Sequence, residues 1–160
     1  MEHIAIMQSS LGLLEKIKTG RKTVESRWYK TKYPPWGRIK RGDILYFKDS
    51  GKPVSIKTKV NDVEFYSNLS HYEIKKILNE YGGSNQLGLE NTSDFFERVK
   101  DKKYCVLIFF SNVEHITPFN IDKRGYGIMS SWITVNDINN IKVFPSSNVK
   151  QHQNLFGKYL

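Results

Sequence analysis

The hydropathy pattern of this chain predicts an α+β protein, a curved β-barrel with flanking helices. Three observations lead there. Apolar residues alternate with period two in more segments than they recur at helical spacing, and no strict βαβ order appears. The phase of one long alternating run also slips midway, as a sheet that curls into a barrel requires. No internal repeat is visible, and 160 residues is the size of one domain. We therefore expect a single domain over residues 1–160, with 145–160 as a loosely held C-terminal tail.

Taken in order, His3 to Met7 reads as a short strand. Ser9 or Ser10 is placed to cap a helix whose Leu13, Leu14 and Ile17 share a face, and Gly20 stands where a left-handed C-terminal cap belongs. Lys22 to Trp28 follows as a strand, and Pro34-Pro35 and Gly37 make Tyr29 to Gly42 a loop. Asp43 to Lys48 is a strand, Asp49-Ser50-Gly51 a turn, and Val54, Ile56, Thr58 and Val60 form one buried face. After Asn61-Asp62 the apolar phase moves to Val63 and Phe65, the mark of a bulge. Ser70-His71-Tyr72-Glu73 has capping-box spacing, and Ile74, Ile77, Leu78 and Tyr81 recur at helical intervals until Gly82-Gly83. Asn91 to Ser93 opens a second short helix carrying Phe95, Phe96 and Val99. Tyr104 to Phe110 is continuously apolar, hence a strand covered on both faces, with Cys105 as a small core residue. Trp132 to Val135 and Ile141 to Phe144 supply further strands.

Charge then narrows the function. The chain carries a formal net charge of +9, and seven of those nine charges lie between Arg21 and Arg41. In that stretch Arg21, Lys22, Arg27, Lys30, Lys32, Arg38, Lys40 and Arg41 are opposed by Glu25 alone, and Trp28, Tyr29, Tyr33 and Trp36 are interleaved with them. Cations neutralise phosphates and flat rings stack on bases, so the segment suits single-stranded nucleic acid, or else is a solvated basic loop. With 13% aromatic and 39% hydrophobic residues the chain is not a disordered tail. Its longest apolar run is Tyr104 to Phe110, too short for a spanning helix, and Met1-Glu2-His3-Ile4 does not open a secretory signal. We expect a cytoplasmic protein with no membrane partner.

Gly20-Arg21-Lys22-Thr23-Val24-Glu25-Ser26-Arg27 fits the pattern G-x-K-x-x-E-x-R between a helix and a strand. Glu25 and Arg27, two apart, share a strand face. Lys22 has the opposite parity and joins them only if the backbone is irregular just after Gly20. Two cations and one anion in a cavity would receive a phosphate or a nucleobase edge; alternatively they form an internal ion-pair network, since buried charges must be paired.

With Gly42-Asp43-Ile44 and the Tyr46-Phe47-Lys48 strand end, this motif resembles the ASCH domain family, relatives of the PUA fold, most closely over residues 3–66 and more loosely over 104–144. The resemblance implies a PUA-like barrel with a cleft over the motif and a role in binding RNA or a nucleotide-like ligand. It also implies a possible enzyme, because some members hydrolyse the amide of acetylated cytidine and others cleave RNA. In the amidohydrolase subgroup the motif Lys works beside a Thr nucleophile. Here Lys22 matches, but Glu25 occupies the nucleophile position and Thr23 is not the matching residue.

On this basis the ligand-binding candidates are Lys22, Glu25, Arg27, Trp28, Tyr29, Trp36, Lys48, Lys123, Tyr126 and Trp132, and the nucleic-acid rim is Lys30, Lys32, Arg38, Lys40 and Arg41. Should the protein be an enzyme, Glu25 is the candidate general base and Lys22 or Arg27 the stabiliser of developing negative charge. A protein-interaction module in transcription or translation is a further alternative. Gly125-Tyr126-Gly127-Ile128-Met129-Ser130 lacks the setting of a dinucleotide turn and reads as a loop bordering the cleft. His3, His71, His115 and His152 show no metal-ligand spacing, and no phosphate-binding G-x-x-x-x-G-K-[ST] occurs, so no metal or cofactor is expected.

Overall fold

The computed structural model describes residues 1–144; the tail expected over 145–160 lies outside the described residues. Strand β1 is Glu2–Met7, followed by a 3-10 turn at Ser9–Leu11 and helix α1 at Leu13–Lys18. Strands β2 (Val24–Tyr29), β3 (Ile44–Asp49) and β4 (Val54–Tyr66) come next, then helices α2 (His71–Tyr81) and α3 (Thr92–Val99). Strands β5 (Tyr104–Ile121), β6 (Trp132–Val135) and β7 (Lys142–Val143) complete the described chain. No described helix is long and apolar enough to cross a membrane.

These strands make one mixed sheet in the order β2-β5-β4-β3-β1-β6, with β7 added to the far end of β5. It curls into a half-barrel. Its only parallel pair in that order, β1 with β3, places Glu2 to Met7 beside Ile44 to Asp49. Alternation sorts the side chains onto two faces. The inner face gathers Ala5, Met7, Leu45, Phe47, Ile56, Val60, Val106 and Ile108 with Ile17 of α1 into the barrel core. On the outer face, Val24, Cys105 and Leu107 pack beneath Ile74, Ile77, Leu78 and Val99 of α2 and α3.

Local chemistry explains the boundaries. Ser70 accepts a hydrogen bond from Glu73 N while Glu73 returns one to Ser70 N, the reciprocal cap that the sequence spells out. Asn91 likewise accepts from Asp94 N at the start of α3. The β4 alternation holds from Val54 to Val60, and the β4–β5 register shifts between Val60 and Asp62 where the phase slips, with two further shifts earlier in the strand. Each shift adds local twist, which bends the long β5 around the barrel.

The first helix corrects the expectation of a serine cap. Gly12, at φ 61°, separates the 3-10 turn from α1 and stands at its N-terminus, and no side chain caps it. Strand β2 begins at Val24, two residues later than expected, because Lys22 instead forms an isolated bridge to Gln86 in the α2–α3 connector. The last strand contracts to the two residues Lys142 and Val143.

Candidate functional site

Gly20, at φ 74°, turns the chain out of α1, and the irregular Arg21 to Thr23 segment that follows lets Lys22 swing beneath β2. Lys22 Nζ donates to Val24 O at 2.7 Å and Leu87 O at 3.2 Å, and lies 3.2 Å from Glu25 Oε2. Burial drives its ammonium pKa below the ordinary lysine value, against the attraction of Glu25. Glu25 and Arg27 share the inner face of β2, opposite Ile108 and Val106, and Arg27 Nε is 2.9 Å from Glu25 Oε1. That approach is a Coulombic contact rather than an aligned hydrogen bond: Glu25 Oε2 and Arg27 Nε are buried with no hydrogen-bond partner among the described residues.

The guanidinium of Arg27 crosses from β2, one edge of the half-barrel, to the opposite edge. Its Nη1 donates to Ser131 O at 3.2 Å, its Nη2 to Ile6 O at 3.5 Å, and its carbon sits 5.2 Å from the Trp132 ring centroid. The charge is thus held against an aromatic face.

Above this point opens a cleft of about 780 Å³, lined among others by Tyr29, Tyr33, Arg38, Tyr126, Trp132 and Thr134. Two segments meet there, the Pro34-Pro35 loop and the loop between β5 and β6. Burial raises the Tyr29 hydroxyl pKa to about 12, so it remains a neutral donor, bonded to Pro34 O at 3.0 Å. Ile128 and Met129, 92% and 93% exposed, form an apolar lip.

Of the residues singled out in the sequence, Tyr29, Arg38, Tyr126 and Trp132 line this cleft and Arg27 lies against its Trp132 wall. Lys22 and Glu25 are buried beneath and do not line it. Trp28 faces the other side of β2, where its ring meets the edge of Phe95 and its indole N–H donates to Ser26 Oγ. Trp36 is wedged between Phe65 and Tyr104, with Lys32 Nζ 5.5 Å from its ring centroid. Lys48 projects from the Ile44 and Tyr46 face of β3, opposite to the barrel core, where burial and the nearby Lys123 lower its pKa. Lys123 turns inward, donating to Ile128 O and Ser130 O at 3.1 Å each, and so shapes the loop from behind. The rim cations Lys30, Lys32, Arg38, Lys40 and Arg41 are all exposed.

Sequence reasoning missed a second buried group. His3 Nε2 lies 3.0 Å from Asp43 Oδ2, and His3 Nδ1 lies 3.0 Å from Thr134 Oγ1 and 3.3 Å from Trp132 Nε1. Asp43 also accepts from the Met1 amine at 2.8 Å and from Lys40 N at 3.0 Å. Asp43 lies in the Gly42-Asp43-Ile44 signal, but only the parallel β1–β3 pairing brings His3 to it.

The fold is thus a curled mixed sheet with α1 against its inner face, α2 and α3 on its outer face, and a cleft at the seam between edge strands. The ASCH protein of Zymomonas mobilis has this fold: at 13% identity its crystal structure superposes with a TM-score of 0.59, covering 84% of this chain and 87% of that one. A point variant of the same protein gives a TM-score of 0.62 at 14% identity, covering 87% of this chain and 93% of that one. No family model and no curated protein matches the chain by sequence.

Proposed function

We propose that this chain is an ASCH-type protein that binds single-stranded RNA or a nucleotide-like ligand in the cleft between β2 and β6. One observation carries the reading: four aromatic rings, Tyr29, Tyr33, Tyr126 and Trp132, line a single cleft together with the exposed cation Arg38. Rings offer stacking faces to any base, while Arg38, Lys40 and Arg41 attract the phosphates. In this reading Lys22 and Glu25 act from beneath. Lys22 donates to two carbonyls and pairs with the Glu25 carboxylate by charge alone, and Glu25 is the counter-ion that fixes Arg27. Glu25 lies against both cations and outside the cleft lining, so the geometry favours binding over Glu25-driven hydrolysis.

The test is a titration of fluorescently labelled single-stranded RNA across a salt series. Affinity is expected to fall with a log–log slope of about 0.7 per phosphate contacted, and a Lys40→Ala, Arg41→Ala double variant should flatten that slope by roughly 1.4. Tyr126→Ala should weaken binding by about 1 to 3 kcal/mol, the worth of one stacked base. Binding indifferent to both salt and Tyr126 would refute the proposal.

A further inference from the structure

We propose that Asp43, His3 and Thr134 form a nucleophilic relay in the wall of the cleft, with Thr134 able to take the acyl group of a carboxylic ester. This site is distinct from Lys22 and Glu25, and rests on the binding proposal only for the idea that a ligand occupies the cleft.

The sheet builds the relay. In the β1–β6 ladder His3 stands directly opposite Thr134, and in the β1–β3 ladder Glu2 pairs with Ile44, so Asp43 at the foot of β3 comes level with the ring. The three side chains run in line, Asp43 Oδ2 to His3 Nε2 at 3.0 Å and His3 Nδ1 to Thr134 Oγ1 at 3.0 Å. His3 is fully buried, whereas Thr134 is half-buried and lines the cleft. A ligand would therefore meet the hydroxyl first, with His3 Nδ1 one hydrogen bond behind it and within reach of groups held at the Thr134 oxygen.

Hydrogen-bond logic fixes the tautomer. The indole N–H of Trp132 can only donate, so Nδ1 at 3.3 Å must be an acceptor and the ring proton sits on Nε2, facing the Asp43 carboxylate. A neutral imidazole so arranged shares its Nδ1 lone pair between the Trp132 N–H and the closer Thr134 hydroxyl. Burial lowers the His3 pKa against the opposing pull of Asp43, which keeps the base unprotonated near neutral pH. Burial also acts to raise the Asp43 carboxyl, but its bonds to the Met1 amine, His3 and Lys40 N outweigh that and hold it ionised. The charged and titratable groups facing His3 are thus Asp43 and the Met1 amine, with Thr134 and Trp132 completing its surroundings.

The chemistry balances with water as the only co-reactant. Thr134 Oγ attacks the ester carbonyl carbon as its proton passes to His3 Nδ1. Collapse of the tetrahedral intermediate breaks the carbon–alkoxy bond, and the Nδ1 proton leaves with the alcohol. Water, deprotonated by Nδ1, then attacks the acyl-threonine, releasing the carboxylic acid and returning a proton to Thr134. Once protonated, Nδ1–H would point at the Trp132 indole N–H, so the imidazolium is disfavoured and passes its proton on. An ester suits this arrangement better than an amide, because one buried imidazole must serve both transfers and an alcohol is the easier leaving group.

The test is incubation of the full chain with p-nitrophenyl acetate, following p-nitrophenol release and mapping acetyl groups by peptide mass spectrometry. Wild type should carry acetyl on Thr134, with a rate that rises as His3 deprotonates below pH 6.5. The near-isosteric Thr134→Val should lose about 100-fold or more of the release rate, and Thr134→Ser should recover much of it. Acetyl confined to lysines or the N-terminal amine, or release unchanged in Thr134→Val, overturns the relay. Titrating labelled RNA with the wild type separates the two proposals. Binding without acetyl-Thr134 overturns the relay alone, whereas no binding overturns the binding reading.

Discussion

Replacing Glu25 by Gln tests the buried charge cluster most directly. Glu25 is 4% exposed and stands 3.2 Å from Lys22 Nζ and 2.9 Å from Arg27 Nε. Gln fills the same volume, so no cavity term enters, but the buried Lys22 and the half-buried Arg27 lose the counter-charge they share among the described residues. Breaking a buried pair from one side typically costs about 3 to 5 kcal/mol. For a chain of this size that corresponds to a fall of roughly 6 to 20 °C in Tm. The pH dependence sharpens the test. Burial already holds the Lys22 pKa below its unfolded value of 10.5, and loss of Glu25 removes the attraction that opposes this shift. Between the folded pKa and 10.5 the unfolded state binds more protons than the native state, so the variant gains stability as pH rises. Its deficit against wild type should therefore narrow from pH 7 towards pH 10. Calorimetric melts of both proteins across that range make the measurement. A deficit under about 1 kcal/mol at pH 7, or one that widens with pH, would refute the view that Glu25 is the structural counter-ion of Lys22 and Arg27.

Two further expectations concern the scaffold. His3 is held below its unfolded pKa of 6.5, so its contribution to stability is complete above pH 6.5 and is lost as pH falls towards the folded pKa. Urea melts at pH 7.5, 6.5 and 5.5 should show this loss, and a His3 ring signal titrating above 6.5 by NMR would contradict it. A Cβ at Gly82 would clash with Leu78 O and stand 2.7 Å from Thr92 Cγ2, the first residue of α3. Gly82→Ala should then cost about 1 to 3 kcal/mol in urea unfolding, while Gly83→Ala, with open space around its Cβ position, should cost little.

The parts of the fold legible in the sequence were those fixed by neighbours in the chain. The α2 capping box and its apolar stripe, the Asn91 cap and the slipped phase at Asn61-Asp62 are all local signals, and each has its structural counterpart. Residues two apart on a strand share a face, so the approach of Glu25 and Arg27 was readable too, and the left-handed Gly20 accounts for Lys22 joining them. The same parity sends Trp28 to the helix-covered face and Lys48 away from the barrel core, although composition alone grouped both with the cleft. Trp36 was hidden for a different reason: in a proline-bounded loop no periodicity says which way a ring turns, and its partners Phe65 and Tyr104 are remote in sequence. His3, Asp43 and Thr134 meet only through the insertion of β1 between β3 and β6, a pairing across the whole chain that no local pattern encodes.

That Arg27 joins β2 to the β1–β6 edge has a mechanical consequence. Where strands join through a ladder, repeated backbone bonds hold neighbours about 4.8 Å apart and so set the circumference of a sheet. Here the last gap is spanned by one guanidinium, through Ser131 O, Ile6 O and the Trp132 ring, and a side chain has torsions that a ladder lacks. Among the described residues the half-barrel is therefore a split ring whose polar fastening is one adjustable side chain. Any anion that drew Arg27 towards itself would change the width of the seam while leaving the α2–α3 layer, packed on the far face, undisturbed.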